Sequence, residues 1–471
     1  MKILATAMFL VLVATGARAM DLRQSGFGAY RVDRSVACLT PGERADIQAR
    51  LEASRGELLS RGLLSARLAP TSVSFGWPLK LQTGNDPGYH GISNFVDENP
   101  AYPNQVLDYN CGTRTYDTAA GYNHQGTDLF LWPFYWYKMD RGDVAAVAAA
   151  DGVILGKDDG YDDHSCAMSG APWNAVYLQH ADGSVTWYGH LKKGSLTTKA
   201  VGASVEEGEF LGLVGSSGNS TGPHLHFEVY DAANHLIDPW GGPCNLLGGV
   251  SWWTSQRPYY DSAINALYTH DAPPEFPACP NDEIPHFSDT FTPGQTIYFA
   301  AYYRDQLQGQ VTNYRVYDAA NTLVDAWSAS LSDPWYAADY WYFYEPVPFG
   351  FTLGEWRFEA DYEGQTVRHD FFVVSPTAAE PGLPAPLELR RLGADPGDGR
   401  VDLAYRLPSS GGARLSIYDL RGRRLARVVD SWQTAGEHRV TWDPGRTTPG
   451  VYLARLDAAG RSVTQKLFVV R

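Results

Sequence analysis

The chain has 471 residues, 44% of them hydrophobic and 19% charged, with 38 basic against 53 acidic side chains and a formal net charge of −15. That length exceeds one ordinary core and predicts two to four domains. The acidity argues against a nucleic-acid or polyanion binder, and the hydrophobic content excludes a disordered chain. At the N-terminus, Lys2 precedes an apolar run from Ile3 to Ala14 and then Ala17-Arg18-Ala19. This pattern predicts a secretory signal peptide over residues 1–19, cleaved after Ala19. The run falls short of the roughly 20 residues a membrane span needs, so no transmembrane anchor is expected. The expected location is outside the cytoplasm: periplasm, outer cell surface or extracellular.

Export places the five cysteines (Cys38, Cys111, Cys166, Cys244 and Cys279) in an oxidising compartment, where disulfides form. The odd count leaves one thiol over. Cys111 with Cys166 and Cys244 with Cys279 are the expected bridges. None lies in a CxxC pair, which argues against a thiolate metal site, and Cys38 lies too far past the apolar run for lipid attachment.

Residues 20–71 form an N-terminal segment. Its Thr40-Pro41-Gly42-Glu43 reads as a helix start, with Thr as cap and Glu three residues on, predicting a helix to about Arg61. Residues 72–245 alternate short β-like runs with Gly, Asp and Asn turns; strands are expected at Ala175–Gln179, Val185–Gly189, Phe210–Val214 and Leu225–Tyr230. Residues 273–375 form a second β-rich stretch, with strands expected at Thr296–Tyr303, Tyr314–Tyr317, Tyr340–Tyr344, Trp356–Tyr362 and Val367–Val374. Their spacing suits an immunoglobulin-like sandwich. Trp335, Tyr336 and Trp341 are read there as core or bracing residues rather than a sugar-stacking surface. Residues 376–386 (PTAAEPGLPAP) form a Pro/Ala linker. Residues 387–471 make a third, smaller β domain. From Pro386 onward the net charge is +6, against −21 for the rest. The expected fold class is mainly β, with one short N-terminal helix.

Three elements between Ser72 and Pro243 carry candidate chemistry. His124-Gln125-Gly126-Thr127-Asp128 offers an imidazole and a carboxylate four residues apart, both able to bind a zinc ion. His224-Leu225-His226 follows a Gly/Ser/Thr/Pro-rich loop. On a strand, residues two apart share a face, so both histidines address one cavity while Leu225 and Phe227 enter the core. Tyr188-Gly189-His190-Leu191 places a further histidine at the end of the Val185–Gly189 run.

Together these elements resemble the lysostaphin-like (LytM-type) zinc metallopeptidases, and the resemblance covers roughly Phe75–Pro239. It implies an antiparallel β-sheet peptidase domain holding Zn2+ through His124, Asp128 and His226, with His190 and His224 as the catalytic acid–base pair. It also implies a zinc endopeptidase cleaving peptides of bacterial peptidoglycan, in cross-bridges or stem peptides. Two other relatives' roles stay open: a broader secreted protease cutting Gly-rich proteins, and a silent scaffold that activates a separate hydrolase. Leu129–Asp143 (LFLWPFYWYKMDRGD) departs from the family, which has a short turn there. Its aromatic residues are expected to pack rather than to wall a substrate groove. The final stretch is similar to the immunoglobulin-like C-terminal domains, related to the flagellar hook-cap protein's, that end many secreted enzymes. That similarity implies a sorting or attachment role, with the outer-membrane secretion machinery as partner. The remaining histidines (His90, His164, His180, His235, His270, His286, His369 and His438) are read as structural or exposed.

Overall fold

The computed structural model describes residues 25–30, 37–69, 73–167, 170–279, 281, 283–347, 352–375, 387–394, 400–408, 411–419, 423–433, 436–445, 447–458 and 461–469. The expected signal peptide and the 376–386 linker lie outside them. Two compact units divide the chain, Met1–Pro376 and Thr377–Arg471.

The first unit is built on an antiparallel sheet. Its strands run, in spatial order, His90–Asn94, Thr127–Leu131, His224–Tyr230, Val185–Gly189, Ala175–Gln179, Gly152–Asp158 and Ser204–Val205, with Leu236–Ile237 also paired to His224–Tyr230. Strand alternation divides the central strand between two cores. Leu225, Phe227 and Val229 point into one with Leu129, Leu131 and Tyr188, while Tyr230 on the opposite face joins Trp187, Tyr177 and the N-terminal helix. That helix spans Pro41–Ser60 and carries the expected capping box: Thr40 Oγ1 accepts from the Glu43 N–H at 3.2 Å, and Glu43 Oε2 accepts from the Thr40 N–H at 2.8 Å. Such a cap is worth about 1 kcal/mol. Ile47, Leu51 and Leu58 bury the helix's apolar stripe on the sheet, each contributing roughly 1.5–3 kcal/mol.

Residues 273–375 pair into two sheets, but their core takes in more of the chain than the sequence indicated. One sheet orders Ser25–Ala29, Trp335–Pro346, Thr296–Leu307 and Ala263–His270; the other orders Thr290–Phe291, Gln365–Val373, Gly354–Tyr362, Val311–Tyr317 and Leu323–Ser330. Ser25–Ala29 was not expected as a strand, because its two glycines give no β pattern. Gly26 and Gly28 lie directly against the rings of Tyr342 and Tyr340, where a side chain would collide. The aromatic run after Asp128 packs, as expected. Phe130, Trp132 and Phe134 share a core with Ala266, Tyr302 and Ala338 of the sandwich, while Trp136 and Met139 enter the core of the first sheet. Trp341 packs on Phe27 at 4.7 Å and Trp335 donates to Asp305 at 3.2 Å, both bracing contacts.

The disulfides differ from the expected pairing. Cys111 joins Cys244 and Cys166 joins Cys279, leaving Cys38 free. The reason is tertiary: the Cys244 N–H donates to Tyr109 O at 2.9 Å, bringing that loop beside Cys111, a proximity no sequence spacing reveals.

The second unit has two antiparallel sheets, one of Glu388–Ala394, Val401–Leu407 and Gly436–Trp442, the other of Arg424–Gln433, Gly411–Asp419, Gly450–Ala458 and Arg461–Val469. They enclose a core that includes Leu403, Leu415, Ile417 and Leu456. No helix among the described residues is long and apolar enough to cross a membrane.

Glu283 gives the first unit a pH-dependent weakness. Its Oε2 accepts from the backbone N–H groups of Trp136 and Tyr137 at 3.1 and 3.2 Å, in the first turn of the Tyr135–Arg141 helix. Burial pushes its carboxyl up to about 7 from 4.5, against those hydrogen bonds. Between these values the folded chain keeps a proton that the unfolded chain has lost. Stability therefore falls as pH rises through that window, by roughly 3 kcal/mol in total. Glu283→Gln should flatten this slope in thermal midpoints measured from pH 4 to 8 (about the window's span); a slope equal to the parent's would contradict the assignment.

Candidate metal centre

The three sequence elements meet because their strands are neighbours. His224–Tyr230 lies between Thr127–Leu131 and Val185–Gly189, with His226 opposite Asp128 on one side and opposite Gly189 on the other. Asp128 thus faces His226 directly, His124 approaches from the loop before Asp128, and His190 follows the end of the other neighbour. Gly126 is required for this approach: a Cβ there would lie 2.7 Å from His226 Cε1 and Nε2.

His124, Asp128 and His226 bring one ligand atom each to within 4.8 Å of one another. Both imidazoles are fully buried and Asp128 is 5% exposed. Hydrogen bonds outside the cluster orient each ligand. His124 Nδ1 donates to Phe95 O at 2.7 Å, leaving Nε2 to face the cluster. That nitrogen lies 3.0 Å from Asp128 Oδ2 yet has no hydrogen-bond partner, as befits a lone pair aimed at an ion. Asn94 Nδ2 donates to Asp128 Oδ2 at 2.8 Å. His226 Nε2 donates to Glu228 Oε1 at 2.7 Å, turning Nδ1 to within 2.7 Å of Asp128 Oδ1. Glu228 in turn is held by both terminal nitrogens of Arg44, one at 2.9 Å, and by Tyr230 Oη at 2.7 Å. A buried carboxylate behind a ligating imidazole fixes its tautomer and raises its basicity. The donor set of two imidazoles and a carboxylate suits a borderline divalent ion.

His190 and His224 flank the cluster, with ring centroids 4.4 Å apart. His190 Nδ1 donates to Ser217 O at 2.6 Å, and its buried Nε2 has no partner. His224 Nδ1 donates to Gly222 O at 2.8 Å, and its Nε2 lies 3.7 Å from Asp128 Oδ1. Both rings are therefore held with Nε2 as the free acceptor. His190 has φ 61°, a left-handed backbone uncommon for a residue other than glycine. Burial, then the neighbouring imidazoles, holds His190 well below the usual range. Burial also lowers His224, against the attraction of Asp128. Asp128 lies well below the ordinary carboxylate range: burial works against this, and His124 and His226 outweigh it.

The structure brings together every residue singled out in the sequence, and adds Asn94, Glu228, Arg44 and Cys38. Glu228 was within reach of the same alternation that linked His224 to His226, since it is the next residue on that face. Arg44, Asn94 and Cys38 come from distant segments and carry no local signal. Cys38 Sγ lies 3.6 Å from His226 Nε2, a proximity that the sequence did not indicate. Of the other histidines, His180 and His270 are buried and hydrogen-bonded to the Asp151 and Pro285 carbonyls, and His235 pairs with Asp231 on the surface.

Histidines and an aspartate able to hold one metal ion, beside two further imidazoles, define a candidate metal-dependent hydrolytic centre. Residues 123–239 match the model of Peptidase family M23, so the chain carries a Peptidase M23 domain. The chain is 46% identical over 82 residues to the DD-carboxypeptidase/endopeptidase Mpg of Neisseria meningitidis, covering 17% of this chain and 16% of that protein. It is 35% identical over 107 residues to an uncharacterized metalloprotease of Buchnera aphidicola, covering 23% of each. To the peptidoglycan DD-endopeptidase ShyC of Vibrio cholerae it is 40% identical over 55 residues, 12% of each. The chain thus spans less than a quarter of the length of each of these relatives.

Proposed function

We propose that the protein is an exported zinc-dependent endopeptidase that cleaves peptide bonds of bacterial peptidoglycan, in cross-bridges or stem peptides. The observation that carries this reading is the convergence of His124, Asp128 and His226 within 4.8 Å, beside two imidazoles with free Nε2 atoms. Relatives named as peptidoglycan endopeptidases support the substrate class.

Three protein ligands leave a position for water, the pattern of a catalytic zinc site. Zinc bound there supplies a water of pKa near 7 and polarises the scissile carbonyl. The protein's own residues do the rest. The Nε2 atoms of His190 and His224 are the nearest uncommitted bases. One takes a proton from the attacking water and returns one to the leaving amine. The other, its Nε2 also unprotonated, accepts a hydrogen bond from the same water and orients it for attack. The Ser217 and Gly222 carbonyls keep both rings in the required tautomer throughout. Export follows from the N-terminal pattern, and an attachment role for the C-terminal unit from its sequence resemblance.

The zinc-loaded full chain should release new free amino groups from purified peptidoglycan, and chelation should stop it. Zinc binding without amine release would favour a scaffold that activates another hydrolase.

A further inference from the structure

The run Leu129–Asp143 packs through only part of its surface. Trp136 and Met139 carry one face of the Tyr135–Arg141 helix into the core of the first sheet. Tyr137, Lys138 and Arg141 of the same helix line a cavity of about 300 Å³, which the sandwich closes with Tyr268, Phe287 and His369. That volume falls at the small end of ligand pockets and has room for a sugar ring. None of the residues of the metal centre lines it.

The wall of this cavity is aromatic. Phe287 stands among Phe134, Tyr137 and Tyr268, with ring centres 5.2, 5.7 and 4.7 Å away. Despite these neighbours it is 40% exposed, so part of a large apolar ring stays open. It follows His286, whose φ of 55° is uncommon outside glycine and is a kind of backbone retained chiefly where function requires it.

The rim is polar and nearly balanced in charge. Lys138 Nζ, its side chain 6% exposed, donates to Asp86 Oδ2 at 2.7 Å, and Tyr268 Oη donates to the same oxygen at 2.5 Å. An ammonium has three donors, and Asp86 is its one acceptor among the described residues, so donor capacity remains at a buried cation. Asp143 accepts from Arg141 Nε at 3.2 Å and from Thr83 Oγ1. Two cations thus face two carboxylates, while Asp289 at the edge pairs with His369 at 3.2 Å. An anion would meet the carboxylates, and a cation the basic groups. A neutral ligand whose hydroxyls both donate and accept satisfies the two sets together. It must also present an apolar face to the aromatic wall. A pyranose does both, with C–H groups on its faces and hydroxyls around its edge.

We propose that this cavity binds an N-acetylated sugar of the peptidoglycan glycan strand, holding the polymer while the metal centre cuts its peptides. The inference rests on the substrate class proposed above. An acetamido group adds a methyl for the aromatic wall and an N–H and C=O for the rim. The Tyr135–Arg141 helix links the two sites: a Cβ on Gly222 would lie 3.4 Å from Tyr135 Cε2, and the Gly222 carbonyl fixes His224.

Isothermal titration of the full-length, disulfide-intact protein with the N-acetylglucosamine tetramer tests this, with the glucose tetramer as control. Phe287→Ala probes the wall and Arg141→Gln the rim; both side chains are partly exposed, and thermal midpoints establish that each variant is folded. The parent should bind the N-acetylated tetramer saturably and the glucose tetramer about tenfold more weakly, and each variant should lose about tenfold or more in affinity. No binding by the parent, or variant affinities equal to the parent's, would overturn the site. Equal binding of the two tetramers would overturn its assignment to N-acetylated sugars. Hydrolysis of a soluble cell-wall peptide, read separately, should be the same in the parent and both variants. Its absence from the parent would count against the metal-centre reading and leave the sugar titration to decide the cavity.

Discussion

Alanine at His226 is expected to strip the protein of zinc and abolish peptide hydrolysis. His226 faces Asp128 across the strand pair, would share an ion with His124 under the proposed reading, and is oriented from behind by Glu228. Loss of such an outer partner alone typically weakens metal affinity by 10–100-fold, so loss of the ligand itself should exceed about 100-fold. The metal-free variant should also unfold more readily. Two buried carboxylates, Asp128 and Glu228, would lose the imidazole between them, and breaking a buried charge pair costs about 3–5 kcal/mol. Arg44 still neutralises Glu228, which places the expected cost near the lower end of that range. Elemental analysis and thermal denaturation of the purified variant measure both effects. Zinc retained at the parental level would remove His226 from the ligand set.

The opposite separation is expected at His190 and His224. Neither belongs to the His124–Asp128–His226 group, and each is fixed by a backbone carbonyl rather than by another ligand. Alanine at either should leave zinc content unchanged while turnover falls by about 10²–10⁴, the usual contribution of a positioned acid or base. Steady-state rates with parallel metal analysis separate the two roles. Full activity in His224→Ala would sink its assignment, and zinc loss in His190→Ala would reassign that residue as a ligand.

The centre was legible in sequence because most of it is local. Strand alternation alone places His224 and His226 on one face, and His124 and Asp128 lie close enough to meet without long-range help. The N-terminal helix was legible for the same reason, since Thr40 and Glu43 close a box within one turn. What escaped were contacts made by tertiary packing. Arg44 and Cys38 reach the centre only because the helix docks on the sheet, through a face whose partners, Tyr116 and Trp187, lie far along the chain. The disulfides escaped likewise, as did the strand Ser25–Ala29, whose glycines are chosen by the tyrosine rings above them rather than by β propensity. The aromatic run Leu129–Asp143 was legible as packing, though not as the seam that draws 72–245 and 273–375 into one compact unit.

The central claim is that one ion held by His124, Asp128 and His226 serves the cleavage of cell-wall peptides. Mass analysis of the soluble fragments released from purified peptidoglycan tests it most directly, comparing the zinc-loaded protein with His226→Ala. Fragments carrying newly cut peptides, from the parent alone, are the predicted result. Release by both proteins, or release of fragments cut only in the sugar strands, would contradict it.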